Sequence, residues 1–490
     1  MKLTGLLFAA ALLGSCTQPA AEENYTRHVD PKIGTGGHGH VFVGANVPFG
    51  LVQVGPTSIP QTWDWCSGYH ASDSTVIGFS HTHLSGTGIG DLFDVTVMPV
   101  TGEVTYARGE EADPASGLWS YADRTQEIAR PGYYSVPLTR YGIRAELTAT
   151  ARVGLHRYTF PASEKAAVVF DLENGGCWDK ATETHLAKEG DRTVTGWRHS
   201  TGWAKDQRVY FVAEFSKPFE KFETIGDNYA RASFRTTDGE QVSLKVALSP
   251  VSVEGARENL AAELPGWDFE ETAKAADKAW NAELSKVKIE TADETARRIF
   301  YTALYHTMIA PSLFCDVNGD YYGSDHAIHR NADFTNYTTF SLWDTYRAAM
   351  PLMTVLHPEK MADIVQTMLH IADEQGRLPV WHLWGNETDC MVGNPGIVAV
   401  ADAIVKGIGG FDREKAFEAI RKTAMNPDRG NGLRMEYGYI PCEMFNEAVA
   451  YDMEYALADG AAARAAETLG KAEDAKYFEE RSHSYRNYFD

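Results

Sequence analysis

The sequence predicts two unlike parts: an antiparallel β-sandwich, then an all-α domain laid out as a ring of inner and outer helices. Three observations carry this prediction. Apolar residues alternate with polar ones through the first half, and from about residue 265 they follow a helical period instead. Between the two, 269–286 (FEETAKAADKAWNAELSK) is a polar Ala/Lys/Glu helix suited to a rigid linker. Finally, 490 residues with 44% hydrophobic and 23% charged content are enough for two or more cores.

The N-terminus begins with Lys2, an apolar run over 6–13, and Gly14-Ser15-Cys16. This reads as a secretory signal over 1–15, too short to span a bilayer as a mature helix. Leu13-Gly14-Ser15-Cys16 matches a bacterial lipobox, which makes Cys16 the lipidated first residue and 16–24 a tether to the outer membrane. The expected location is periplasmic or outer-membrane-anchored. Five further cysteines (Cys66, Cys177, Cys315, Cys390 and Cys442) form no C-x-x-C pair, and most of them read as buried thiols. Lys and Arg total 45 against 67 Asp and Glu, a net charge of −22, so no basic field attracts nucleic-acid phosphates or an anionic membrane surface.

In the sandwich, 25–265, Ile143, Ala145, Leu147 and Ala149 alternate with polar residues, and Val153 and Leu155 continue the period. Further strands are expected at 166–172, at 208–215, and along Val242, Leu244, Val246 and Leu248 to Val251 and Val253. After the linker, 266–290, Thr291-Ala292-Asp293-Glu294 reads as a capping box. It opens a helix with Ala296, Ile299, Phe300, Ala303, Leu304 and Met308 as its stripe. Pro358 starts another, striped by Met361, Ile364, Val365, Met368 and Ala372 and ended by Gly376. Residues 396–408 are apolar on nearly every face and predict a buried helix; 413–425, 443–457 and the two-part 461–489 are further helices. That makes six or seven helices over 291–490, fewer than a closed ring needs, so the helical domain is expected to be incomplete here.

Several clusters could carry chemistry. Gly34-Thr35-Gly36-Gly37-His38 lacks the Gly-Lys-Ser/Thr of a phosphate loop. His81-Thr82-His83 has no third ligand nearby and reads as hydrogen-bonded structure rather than a metal site. Trp63-Asp64-Trp65 offers two indoles flanking a carboxylate, either a sugar-stacking platform or a sandwich-edge aromatic cluster. Asp316-x-Asn318-x-Asp320 has Tyr321 and Ala327 where a calcium loop needs Gly and Glu, and is read as a turn. Trp343, Asp344 and Arg347 form either an aromatic, carboxylate and guanidinium platform or a buried Asp–Arg pair. Glu387, in Gly385-Asn386-Glu387, is a general-acid candidate or part of a helix cap. Glu443, Asn446 and Glu447 read as a solvated face.

Four long segments together resemble glycoside hydrolase family 92, the calcium-dependent, exo-acting α-mannosidases of bacteria. They are FVGANVPFGLVQVGP (42–56), WDWCSGYHASDSTVIGFSHTHLSGTGIGD (63–91), FSLWDTYRAAMPLMT (340–354) and LPVWHLWGNETDCMVG (378–393), with YGYIP (437–441) a weaker fifth. The resemblance implies a β-sandwich packed on an (α/α)6 barrel. It also implies an inverting mechanism with an acid and a base about 6.5–9.5 Å apart, and a calcium ion bound to the sugar. The family's acid lies in a Glu-Gly-Asn-Ala-Trp motif and its base near Asp-Cys-Gly, and neither string occurs in residues 1–490. Both motifs, and most calcium ligands, are expected beyond Asp490. The catalytic groups and the metal ligands therefore stay unassigned here. Trp63, Trp65, Asp344 and Glu387 are expected to bind substrate, with Glu387 only a weak acid candidate. The expected function is hydrolysis of terminal α-mannosides of glycoprotein N-glycans or mannans. The alternatives are an inactive mannose-binding surface lipoprotein, or a truncated remnant whose 396–408 helix lies open to solvent.

Overall fold

Alternation builds the first half. In the strand Ile143–Ala149 the side chains of Ile143, Ala145 and Leu147 are buried while Arg144 and Glu146 are half-buried. The computed structural model describes residues 23–113 and 115–489, so the signal segment, Cys16 and Asp490 lie outside the described residues. Two antiparallel sheets face each other. One has the order Gly55–Thr57, Gly78–Ser80, Thr96–Thr101, Ser163–Asp171, Tyr229–Thr236, Lys221–Ile225. The other runs Lys180–Glu189, Thr193–Thr201, Gln207–Phe215, Glu240–Ser249, Val153–Phe160, Ile143–Ala149, Tyr133–Leu138, Ile128–Arg130. Their inner faces meet through rings such as Phe170 on Phe211, 6.1 Å apart and nearly parallel. The expected sandwich is present.

Eleven α-helices follow among the described residues: α1 Val253–Glu263, α2 Phe269–Leu284, α3 Glu294–His306, α4 Leu342–Thr345, α5 Ala349–Leu356, α6 Pro358–Gln375, α7 Pro395–Val405, α8 Arg413–Ala424, α9 Asn431–Tyr437, α10 Ala448–Thr468 and α11 Ala472–Arg481. The second part is mainly helical, as expected, but not all-α: seven short strands, from Ser312–Leu313 to Asn386–Glu387, lie between α3 and α7, and nine α-helices rather than six or seven fall within 291–490 of the described residues. Several details differ as well. Val253 is not a strand residue: the last strand stops at Ser249, and the Ser252 hydroxyl accepts the Gly255 N–H to cap α1. The linker helix α2 also clamps. It buries Phe269, Trp280 and Leu284, and the Trp280 indole donates to the Asn46 carbonyl at 2.7 Å. On α3 the cap is Asp293, accepting from Thr295 and Ala296, and the buried face is Tyr301, Thr302, Leu304 and Tyr305. Ile299, expected in the stripe, is 54% exposed, because α3 turns its tyrosines toward Trp280 and Tyr25.

The α6 stripe is as predicted, closed by Gly376 at φ +88°. The apolar α7 is not open to solvent. Ile397, Ala399, Val400, Ala401, Ala403 and Ile404 are buried against α5, α6, α8 and α10. Close approach to α10 is possible because that helix presents Ala458, Ala462, Ala463, Ala465 and Ala466. α10 begins at Ala448 rather than at 443, and runs through Thr468 into the stretch expected as a separate helix.

The two histidines of His81-Thr82-His83 are fully interior. His81 bonds the Val95 carbonyl at 2.6 Å and His156 at 2.9 Å; His83 bonds the Gln53 carbonyl at 2.8 Å. They are hydrogen-bonded structure, each to other partners rather than to one another. Burial pulls His81 down to about 4, and His83 and His382 to about 3. As pH falls below the ordinary imidazole value of about 6.5, the unfolded chain takes up protons that these folded imidazoles refuse, so stability falls. Asp91 and Asp316, pushed up to about 6 by burial, act oppositely between about pH 6 and 4. Across the described residues nine imidazoles are lowered and six carboxyls raised, so unfolding in urea is expected to come easier at pH 5 than at pH 7, by a few kcal/mol at most. An equal or higher midpoint at pH 5 would contradict neutral, buried imidazoles.

Candidate active site

A cleft of about 270 Å³ opens where the two parts meet. The sandwich side supplies Ser85, Gly86 and Thr87; the helical side supplies His306, Asp344, Met350, Met353 and Trp381. A larger open recess, about 660 Å³, lies on the sandwich between Arg108, Glu173 and Asp227, and none of the predicted site residues lines it.

Asp344 sits in the single turn of α4 with its carboxylate exposed to the cleft, accepting from the Ser341 hydroxyl at 2.5 Å. Arg347 is not its partner. The guanidinium lies over the Trp343 ring at 4.8 Å and donates to Glu454 at 2.9 Å, so the helix that supplies the acid is α10.

The two indoles of Trp63-Asp64-Trp65 part company. Trp63 is 48% exposed, and its Nε1–H donates to the Gly88 carbonyl at 2.9 Å, one residue beyond the cleft wall at Thr87. The His40 ring meets it edge-on at 4.2 Å, which fixes its plane. Trp65 instead stacks on His70 at 4.4 Å and donates to Asp73 at 2.7 Å. Asp64 turns to His38 at 2.5 Å, and that hydrogen bond holds its carboxyl below the usual range.

Glu387 lies behind the cleft wall. One oxygen accepts from the Val380 N–H at 2.8 Å and the Gln375 amide at 3.4 Å; the other accepts from the N–H groups of Trp381 at 2.9 Å and Asp389 at 3.0 Å. Such a carboxylate has every lone pair engaged and holds the short strand Trp381–Leu383, whose Trp381 lines the cleft. His306 was not foreseen from sequence. It ends α3, its Nε2 is buried without a partner, and burial pulls it to about 4, so it stands neutral in the cleft wall. Only a lone histidine at a helix end marked it.

For calcium, the described cleft offers too little. Asp344 is the one carboxylate among its described lining residues, whereas calcium takes about six to eight oxygens. The Asp316–Asp320 turn has its carboxylates engaged, Asp316 with Ser249 and Asn259, Asp320 with Arg330 and the Asn331 N–H. The last described residue, Phe489, lines a different hollow, with Met453, Leu457 and Tyr485 rather than with Asp344.

Comparison with known proteins places this geometry. The profile of the glycosyl hydrolase family 92 N-terminal domain matches residues 28–249, and that of the family's catalytic domain matches 255–490. The chain belongs to glycosyl hydrolase family 92. The structure of a family 92 α-mannosidase from Bacteroides thetaiotaomicron, solved with mannoimidazole, is 39% identical with a TM-score of 0.92, covering 96% of this chain and 64% of that one. A family 92 inverting mannosidase from the same species is 29% identical at a TM-score of 0.86, over 96% of this chain and 66% of its own. An uncharacterized secreted glycosidase of Arthroderma benhamiae is 26% identical over 99% of this chain and 64% of its own length. The chain thus spans just under two thirds of the family 92 relatives it matches.

Glu387→Gln should turn an acceptor into a donor facing backbone N–H groups. The expected loss is about 2–3 kcal/mol in urea unfolding at unchanged m-value, while an unchanged midpoint would mean that Glu387 holds nothing.

Proposed function

We propose that the complete protein is an exported, exo-acting, inverting α-mannosidase that hydrolyses terminal α-mannosides of glycoprotein N-glycans or mannans. The observation that carries this reading is the likeness, over 96% of the chain, to a family 92 α-mannosidase solved with mannoimidazole. The described residues fit the sugar-holding part of such a site. The half-exposed Trp63 indole, held by Gly88 next to the cleft residue Thr87, would give a flat apolar face for a pyranose ring. Asp344 has oxygen lone pairs left over from Ser341 to accept sugar hydroxyls. His306, on the helical side with Asp344, adds a neutral imidazole to the cleft wall. Inverting hydrolysis uses two carboxyl groups about 6.5–9.5 Å apart. With Asp344 the one carboxylate of the described lining, we assign it to binding, and Glu387 to positioning Trp381; the acid and base are left unassigned. Calcium is the cation of the complete enzyme in this reading, its ligands unassigned.

The complete protein should release mannose from yeast mannan or a high-mannose glycan, and a chelator should suppress the release. Residues 1–490 should bind mannoimidazole, and Trp63→Ala should weaken that binding about tenfold, the order of one aromatic stacking contact. Trp65→Ala should instead lower the urea midpoint. Release of glucose or galactose at the same rate as mannose would sink the reading, as would binding that Trp63→Ala leaves untouched.

Export rests on the signal-like 1–15 and is supported by the secreted relative. We further assign Cys16 as a lipid attachment point. Cys16→Ala should then move the protein from the membrane fraction to the soluble one, and an unchanged distribution would remove the anchor.

A further inference from the structure

Away from the cleft, the strands Tyr321–Tyr322 and Ile328–His329 form a small hairpin whose turn holds Asp325. It lies against the last turn of α6, which carries Glu374. Three donor groups converge there. The His329 Nε2 is 3.1 and 3.2 Å from the two Asp325 oxygens and 3.5 Å from Glu374 Oε1, and one ligand atom from each residue lies within 4.8 Å of the others.

The arrangement is held from behind. The His329 ring stacks on Tyr321, 4.8 Å between centres and 10° from parallel, which aims Nε2 between the carboxylates. The Tyr321 hydroxyl donates to Glu374 Oε1 at 2.9 Å and the Ser324 N–H to its Oε2 at 2.7 Å, while Asp325 accepts from the Ala327 N–H at 3.0 Å. Outer contacts of this sort orient ligands in metal sites. Glu374 is 6% exposed and His329 and Asp325 about one-third exposed, so the cluster is anchored inside and open on one side.

We propose that Asp325, His329 and Glu374 bind one divalent transition-metal ion of the zinc class, which pins the hairpin to α6. Two carboxylates and an imidazole are zinc ligands, whereas calcium and magnesium prefer all-oxygen shells. Ligands about 2.0–2.1 Å from a tetrahedral ion stand about 3.3–3.4 Å apart, between the shortest and longest separations seen here. The fourth position falls on the open side and suits water. The competing state is an imidazolium bridging two carboxylates, which has no use for an ion. The proposal does not depend on the mannosidase reading, and each can fail alone.

The test uses the tag-free chain freed of metal by a chelator, titrated with zinc chloride at pH 7.5 by calorimetry and with cobalt(II) by visible absorption. One equivalent of zinc per chain, with the intense bands of tetrahedral cobalt and a rise in thermal midpoint of several degrees, is the expected result. His329→Ala and Glu374→Gln should each weaken that binding at least tenfold and abolish the midpoint rise. The five free thiols also attract zinc, which is why the difference between wild type and variant is the readout. If His329→Ala does not fold by circular dichroism, the exposed Asp325→Asn takes its place. No saturable binding in the wild type, or binding equal in all variants, would overturn the site.

Discussion

The joint between the two parts is the hairpin formed by Trp381–Leu383 and Asn386–Glu387. The Asn386 side chain takes the place of a backbone pair, accepting from the Asp206 N–H and donating to the Asp206 carbonyl, both at 2.9 Å. Nearby, the Trp381 ring meets the edge of Trp203, a sandwich residue, at 4.6 Å. Glu387 closes the hairpin from below. Buried amide groups left unpaired cost about 1–3 kcal/mol each, so this small motif fixes the sandwich against the helices more firmly than its length implies. Since Trp381 also lines the cleft, the cleft's shape follows from the joint. Tyr322, donating to Asp206 at 2.9 Å, and Ser324, bonded to His382 at 2.9 Å, extend the same connection to the neighbouring hairpin.

Periodicity made the two-part plan legible, because a half-buried strand and a helix with one buried stripe each leave a clear rhythm. It was most reliable where a helix has one neighbour side, as with α6. It failed on α3, where the buried face is aromatic and polar, Tyr301, Thr302 and Tyr305, and the aliphatic Ile299 faces out. A count of aliphatic residues sees the wrong side. α9 left no apolar signal either. Its interior residue is Arg434, whose guanidinium is buried between Asp452 at 2.7 Å and Asp459 at 2.6 Å on α10 and also donates to the Arg481 carbonyl. A charged residue turned inward reads as surface until its partners, some 20 residues away, are brought to it.

The same reasoning separates the site residues. Sequence grouped Trp63 with Trp65 and Asp344 with Arg347, because neighbours in a motif invite a shared role. The structure splits both pairs, since adjacent positions in a short turn point different ways. Asp344 lines the cleft and Trp63 is half-exposed with its indole on Gly88, next to the cleft residue Thr87, whereas Trp65 and Arg347 turn to His70 and Glu454. Motif adjacency does not say which side chain of each loop is free. His306 shows the converse: no motif contains it, and only the fold brings it beside Asp344.

The cleft's size bears on what it can hold. At about 270 Å³ it lies just under the usual range of about 300–1,000 Å³ for small-molecule sites. A single pyranose would fit that space better than a stretch of oligosaccharide. Its walls are unequal as well. Ser85-Gly86-Thr87 gives a wall of small residues on the sandwich side, while Met350, Met353 and Trp381 add bulky apolar surface to the helical side that also carries Asp344. In the proposed function, a ring lying on that apolar surface would turn its hydroxyl edge toward Asp344, the one carboxylate among the described lining residues, so the helical side would set the sugar's orientation.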